Sequence, residues 1–217
     1  LTDCSWSNVT DRLYSVSEPT LMAHFLLAEP DLSGETTVDK WAAFSTLLKD
    51  DTVKDYFEQC YPLLEERIKQ ETAQWVVHSH KLVKRFFADR DLITKVLFKA
   101  SSSLVLNGIQ TNLGDKHQGS SVSLLTLEDG KKMVYIPRER PLQPHFNALC
   151  TWLDEALNVG LRQPLFVERD GYCWMEFIPH TSCSKEEQVN RFYKRLGVNL
   201  ALLYTLEATD FHYENLI

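Results

Sequence analysis

A chain of 217 residues, 44% hydrophobic and 24% charged, is long enough to bury one or two ordinary cores, and its aromatic content excludes a disordered polymer. A net charge of -7 argues against wrapping a nucleic-acid backbone, which needs clustered Lys and Arg. No stretch reaches the ~20 apolar residues of a bilayer span, and Leu1 to Ser7 lack the basic start and apolar run of a secretion signal, so a cytoplasmic protein with no membrane span is expected. The five cysteines, Cys4, Cys60, Cys150, Cys173 and Cys183, are odd in number and widely spaced. They suggest neither a disulfide framework nor a zinc site, and reduced, mostly buried thiols are expected. A start at Leu1 and a stop at Ile217, straight after a polar, motif-like run, read as a fragment.

From Thr37 to about Phe98 the apolar residues fall at helical spacing: Trp41, Phe44, Leu47 and Leu48, then Phe57, Tyr61 and Leu64, then Trp75, Leu82, Phe86 and Phe87. Breaks are predicted at Pro30 to Gly34 and at Tyr61-Pro62, because proline removes a helical N–H and disfavours helix just before it. The aromatic faces of this half are expected to make core. His78 and His80 lie two apart, unlike the i, i+4 spacing of a helical zinc pair, and are read as structural or exposed.

After Ser101-Ser102-Ser103 the character changes. Val122 to Leu127 and Lys131 to Tyr135, joined through Glu128-Asp129-Gly130, predict a hairpin. Phe146, Leu149, Trp152, Leu153, Ala156 and Leu157 predict a helix, with Gly160 placed as its C-terminal cap. Leu165 to Glu168 and Tyr172 to Ile178, joined by Arg169-Asp170-Gly171, predict a second hairpin. One long helix is expected from Lys185 to Glu207, with Phe192, Leu196, Leu200, Leu203 and Leu206 on its inner side and Lys194 and Arg195 outside. The fold class is therefore α+β.

That helix leads into Thr209-Asp210-Phe211-His212-Tyr213-Glu214-Asn215. Asp210 and Asn215 have the Asp-x-x-x-x-Asn spacing of a protein-kinase catalytic loop, in which the Asp takes the substrate hydroxyl proton and the Asn holds magnesium. Phosphoryl transfer needs a carboxylate aimed at the attacking oxygen and an oxygen ligand for a hard cation close by. The loop by itself admits an equal reading, in which Asp210 caps a following turn. A kinase also supplies a Lys from its third strand to the nucleotide phosphates. The matching strand here reads Val134-Tyr135-Ile136-Pro137-Arg138, and Ile136 cannot neutralise a phosphate. Lys132 and Arg138 share its strand parity and are the candidate replacements.

Asn112-Leu113-Gly114-Asp115-Lys116-His117-Gln118-Gly119, then Asp129-Gly130, Tyr135-Ile136-Pro137-Arg138, and Leu202-Leu203-Tyr204 through Thr209 to Ile217 together resemble the dehydratase domain of class II lanthipeptide synthetases. The resemblance runs by motif from about Leu104 to Ile217 and covers the helical first half by character alone. It implies a helical region over 1–100, a lipid-kinase-like N-lobe over 101–183, and the start of a C-lobe over 184–217. It also implies an enzyme that uses ATP and Mg2+ to phosphorylate Ser and Thr of a precursor peptide carrying a leader, and then eliminates the phosphate. Asp210, His212 and Asn215 would belong to the phosphorylation site, Asn215 toward the metal, while Asp115 and His117 would serve phosphate elimination. Elimination needs a base for an unacidic Cα–H and help for the departing oxygens. Ile136 stands where the family has Lys. The zinc-dependent cyclase domain and the remaining metal and elimination residues would lie past Ile217, so the fragment alone is expected to be inactive. Without the resemblance, Gly114 to Gly119 read as a polar, glycine-bounded loop.

Two rivals stand beside this reading. A degenerate, non-catalytic kinase-like module that binds a peptide fits Ile136. A kinase-like phosphotransferase acting on a small molecule fits the Asp210 loop but leaves Gly114 to Gly119 without a purpose.

Overall fold

The computed structural model describes residues 3–100, 103–117 and 120–209, and for 3–8, 112 and 114–117 the backbone alone. The described elements are α1 (Asp3–Ala28), a short 3-10 turn (Glu29–Asp31), α2 (Thr37–Leu47), α3 (Asp51–Cys60), α4 (Pro62–Val96), β1 (Leu106–His117), β2 (Ser120–Leu127), β3 (Lys132–Ile136), α5 (Gln143–Leu157), β4 (Phe166–Arg169), β5 (Tyr172–Glu176) and α6 (Glu186–Thr205). The α+β expectation is borne out. The strands are ordered β1-β2-β3-β5-β4, and two units divide the contacts: Leu1–Asp89 with Leu106–Thr126, and Arg90–Val105 with Leu127–Ile217.

In the first unit, local chemistry sets the helix ends. Thr36 and Asp39 form a reciprocal capping box at the start of α2. Gly34, at φ +138°, leads into it, and a Cβ there would fall 2.6 Å from the Asp39 Cβ. Asp50 caps α3, which ends at Tyr61, and Pro62 opens α4 at a position where its missing N–H costs nothing. Both predicted breaks are therefore present. Phe25 meets Trp41 and Phe44 edge-on and Trp41 lies tilted against Phe44, with ring centroids 5.0 to 5.7 Å apart, joining α1 to α2. Leu82 and Phe86 of α4 are fully enclosed.

Two polar contacts are buried in the same unit. Arg12 of α1 donates from Nε and Nη2 to Glu71 Oε2 of α4, at 3.2 and 2.9 Å. His78 Nε2 lies 3.2 Å from Ser123 Oγ of β2. Residues Ser121, Ser123, Leu125 and Leu127 make the buried side of β2, so the serines, and not Val122 and Leu124, face inward. The pair with His78 is what makes a buried hydroxyl tolerable there. His80, as expected for one of the two, is exposed.

The alternative reading of Gly114 to Gly119 as a polar loop is corrected in part, because β1 continues as strand through His117. Strand pairing meets the backbone's hydrogen-bonding needs whatever the side chains are, and that signal is invisible in a polar sequence.

In the second unit, Leu127 N–H donates to Lys131 O and Gly130 takes φ +80°, a hairpin closed through a glycine bulge. Antiparallel β3 and β5 pair Tyr135 with Trp174 and Ile136 with Cys173, and β4 pairs Val167 with Trp174. Tyr135, Tyr172 and Trp174 cluster on one side of the sheet.

Gly160 is not the cap of α5. Asn158 takes the left-handed conformation (φ +48°), and Asp154 Oδ1 accepts the N–H groups of Val159, Gly160 and Leu161 at 3.1, 2.6 and 3.0 Å. Those amides, Leu161's first, hold the Asp154 carboxyl below its usual range.

The expected inner face of α6 is also corrected. Phe192, Leu200 and Leu206 are exposed, whereas Leu202 is buried and Arg195, expected outside, donates from Nε to Val159 O at 3.0 Å. Apolar residues surround much of this helix, so periodicity alone does not choose the side that packs. The thiols divide evenly among the described side chains: Cys150 and Cys173 are buried, Cys60 and Cys183 exposed. The expectation of mostly buried thiols holds for two of these four.

Candidate functional site

The site begins on β3. Its register with β5 puts Val134 opposite Met175 and Ile136 opposite Cys173, on the face away from Tyr135 and Trp174. Ile136 is 3% exposed and Cys173 1% exposed, and burial pushes the Cys173 thiol up to about 11. This corner of the sheet is dry and apolar. An ammonium in the place of Ile136 would have to reach a partner or water to remain charged.

Lys132 lies four residues back along the strand, about 13 Å at the rise of an extended chain. It is exposed, with Nζ 5.6 Å from the Phe177 ring centroid, a cation–π geometry. Arg138 is exposed just past the strand, and its charge reaches the Cys173 thiol, as does that of Arg140. Glu139, between them, accepts the Gly171 N–H at 3.0 Å and ties this exit segment to the β4–β5 turn. Arg140 is a cation that sequence reasoning missed, because it lies outside the strand and its parity argument.

Asp115 and His117 fall within the last three residues of β1, directly before the connection to β2. Their side chains are not described. Asp210, His212 and Asn215 lie outside the described residues, as does the rest of the run to Ile217. What is described is their approach: α6 ends at Thr205, Leu206 donates its N–H to Leu202 O, and Glu207 takes φ +51°. Leu203, Tyr204, Thr205, Glu207 and Ala208 line an open hollow of about 620 Å³ at that end. No group of three His, Cys, Asp or Glu able to hold a metal is present among the described residues, and no described helix is long and apolar enough to cross a membrane.

An α+β chain with three strands, a helix, two strands and a long helix in succession defines the class. Residues 61–217 match the family model described as a domain of unknown function, DUF4135, and the chain belongs to that family. It is similar to the lacticin 481/lactococcin biosynthesis protein LcnDR2 of Lactococcus lactis subsp. lactis, 23% identical over 201 residues that cover 86% of this chain and 21% of that protein. The chain thus spans about a fifth of that relative's length. The match bears out the resemblance to lanthipeptide synthetases drawn from the motifs.

Proposed function

We propose that this chain is part of a lanthipeptide dehydratase, an enzyme that phosphorylates Ser and Thr of a precursor peptide with ATP and then eliminates phosphate to leave dehydroamino acids. The observation that carries the reading is connectivity: β1-β2-β3, then α5, then β4-β5, then α6 running toward Asp210 and Asn215. A kinase-like lobe has this order, with its catalytic loop following the long helix. The end of β1 supports it too, since Gly114, Asp115 and His117 lead straight into the β1–β2 connection, the place where a kinase's glycine-rich loop covers the phosphates. The relative named for lacticin 481/lactococcin biosynthesis supports a role in lanthipeptide modification.

In this proposal Asp210 orients the attacking hydroxyl and takes its proton, with His212 beside it, and Asn215 holds magnesium. ATP supplies the phosphoryl group and Mg2+ neutralises the charge that develops on it. Asp115 and His117 serve elimination. Lys132, Arg138 and the position of Ile136 border the nucleotide, and the rest of the synthetase, its Zn2+-dependent cyclase included, is the partner.

The fit to nucleotide is incomplete at Ile136, whose buried side chain offers no cation. Weak nucleotide binding by the 217-residue chain is therefore expected, with no turnover of its own. The test is calorimetry of this chain with ATP and Mg2+, and mass spectrometry of precursor peptide treated with the full-length parent. A gain of phosphate followed by loss of water supports the proposal, and unmodified peptide from an ATP-supplied parent refutes it. The same burial of Ile136 favours one second reading, a degenerate peptide-binding module, which predicts peptide capture without any mass change.

A further inference from the structure

Residues of β1 and β2 belong to the same unit as α1 and the first part of α4, so the segment that carries Asp115 and His117 is mounted on helices. β1 packs against α1, with Ile109 and Thr111 buried. β2 turns Ser121, Ser123, Leu125 and Leu127 inward, and Ser123 meets His78 of α4. Arg12 and Glu71 join the two helices to each other. Glu71 and His78 are seven residues apart on one face of α4, about 10 Å along its axis, so the ion pair and the strand contact belong to one frame.

The inward row of β2 is apolar at its far end and polar near the turn. Leu125 and Leu127 have the bulk to key the hairpin into its surroundings, whereas Ser121 and Ser123, the buried residues nearest Ser120, do not. A slide by two residues keeps the inward row inward, and near the turn it exchanges one serine for the other. Apolar packing therefore fixes the turn end weakly. The contact of His78 Nε2 with Ser123 Oγ, at 3.2 Å, supplies the missing direction, and the same hydroxyl reaches the Ser121 carbonyl at 3.4 Å. The tie thus passes from α4 into the backbone one residue inside the start of β2, where β1 ends at His117. An apolar pair would fill this place at little cost in stability. What the polar pair adds is a fixed distance.

We propose that His78 and Ser123 are positioning residues for phosphate elimination, holding the β1–β2 turn at the height where Asp115 and His117 act. The reaction rests on the function proposed above, while the tie is read from its own contacts. In that step a base takes the Cα–H proton, its electron pair forms the Cα=Cβ bond, and the Cβ–O bond breaks as phosphate leaves. Proton removal and help for the leaving group must meet in one geometry, so a misplacement of about 1 Å at the turn is enough to slow the step by as much as about a hundredfold.

The experiment follows precursor peptide by mass spectrometry, with ATP and Mg2+, in the full-length parent and its H78L/S123A, H78Q and F44L variants. H78L/S123A removes both partners together and should melt close to the wild type. It should still phosphorylate the peptide, while the ratio of phosphopeptide to dehydrated product rises about tenfold or more. H78Q retains a polar group within reach of Ser123 and should restore most of the wild-type ratio. F44L loosens the aromatic packing of α1 on α2, away from the hairpin, and should lower stability without moving the ratio. In the 217-residue chain, amide hydrogen exchange over residues 112–122 should quicken in H78L/S123A and not in H78Q.

A ratio that H78L/S123A leaves as it was, or that F44L raises equally, overturns the positioning role. So does unchanged exchange over residues 112–122. A wild-type parent that leaves precursor unmodified removes the catalytic reading and the positioning role together, even where exchange responds. Normal dehydration by both the wild type and H78L/S123A removes the positioning role alone.

Discussion

Ile136 of β3 and Cys173 of β5 face each other across the sheet, and together they leave almost no surface to water. Their pairing makes this side of the strand apolar where the proposed nucleotide site calls for a cation. Ile136→Lys should therefore lower stability on the order of 3 kcal/mol, because an ammonium enters a dry site near Arg138 and Arg140. Urea unfolding should show a midpoint reduced by roughly 1–2 M. If ATP with Mg2+ restores part of that loss, phosphate reaches the position. If it restores none, the site is structural.

Arg12 and Glu71 are 2% and 7% exposed, and both Arg12 donors rest on one carboxylate oxygen. Removing one member takes the ion-pair partner from a buried charge. Arg12→Met or Glu71→Leu alone should cost about 3–5 kcal/mol, whereas the double variant should recover most of it. Thermal and urea unfolding of the four proteins form the double-mutant cycle, and additive losses would show that the pair is not coupled.

His78 is held neutral, its pKa pushed down to about 4 by burial and then by the charges of Arg12, Lys81 and Arg85. The unfolded chain takes up that proton near 6.5, so the unfolded state binds more protons between pH 6.5 and 4. Stability should fall through that window by up to about 3 kcal/mol and be independent of this group above it. His78→Gln retains a polar partner for Ser123 and should flatten the slope between pH 6.5 and 4.5. Carboxylates such as Asp154 add losses lower down, where they protonate. A slope unchanged in the variant would assign the pH dependence elsewhere.

Phosphorylation and elimination stress different groups, so their defects should separate in the full-length parent. Asp210→Asn preserves the shape of the loop and removes its negative charge, and unmodified peptide should remain after a loss of roughly 10²–10⁴-fold. His117→Ala should instead leave phosphopeptide, seen as a gain of phosphate without loss of water. Untouched peptide from His117→Ala, or phosphopeptide from Asp210→Asn, would reverse the assigned roles.

Element type was largely legible in the sequence wherever the cause is local. Pro62 stops one helix and opens another, Gly130 and Gly171 close hairpins at φ +80° and +76°, and the spacing of apolar residues marks α4 and α6 as helices. The motif residues of the proposed site rest on their order and type in the sequence alone.

What only the tertiary structure decided depends on partners distant in the chain. β1 is a strand because a neighbouring strand pairs its backbone, which Asn112 to His117 do not announce. The packed side of α6 was settled by Arg195 reaching the Val159 carbonyl. Ser123 turns inward because His78, 45 residues away, accepts or supplies its hydrogen bond. Local propensity is additive along a sequence, but the burial of a polar group is favourable only once its partner is in place, and that partner is chosen by the fold.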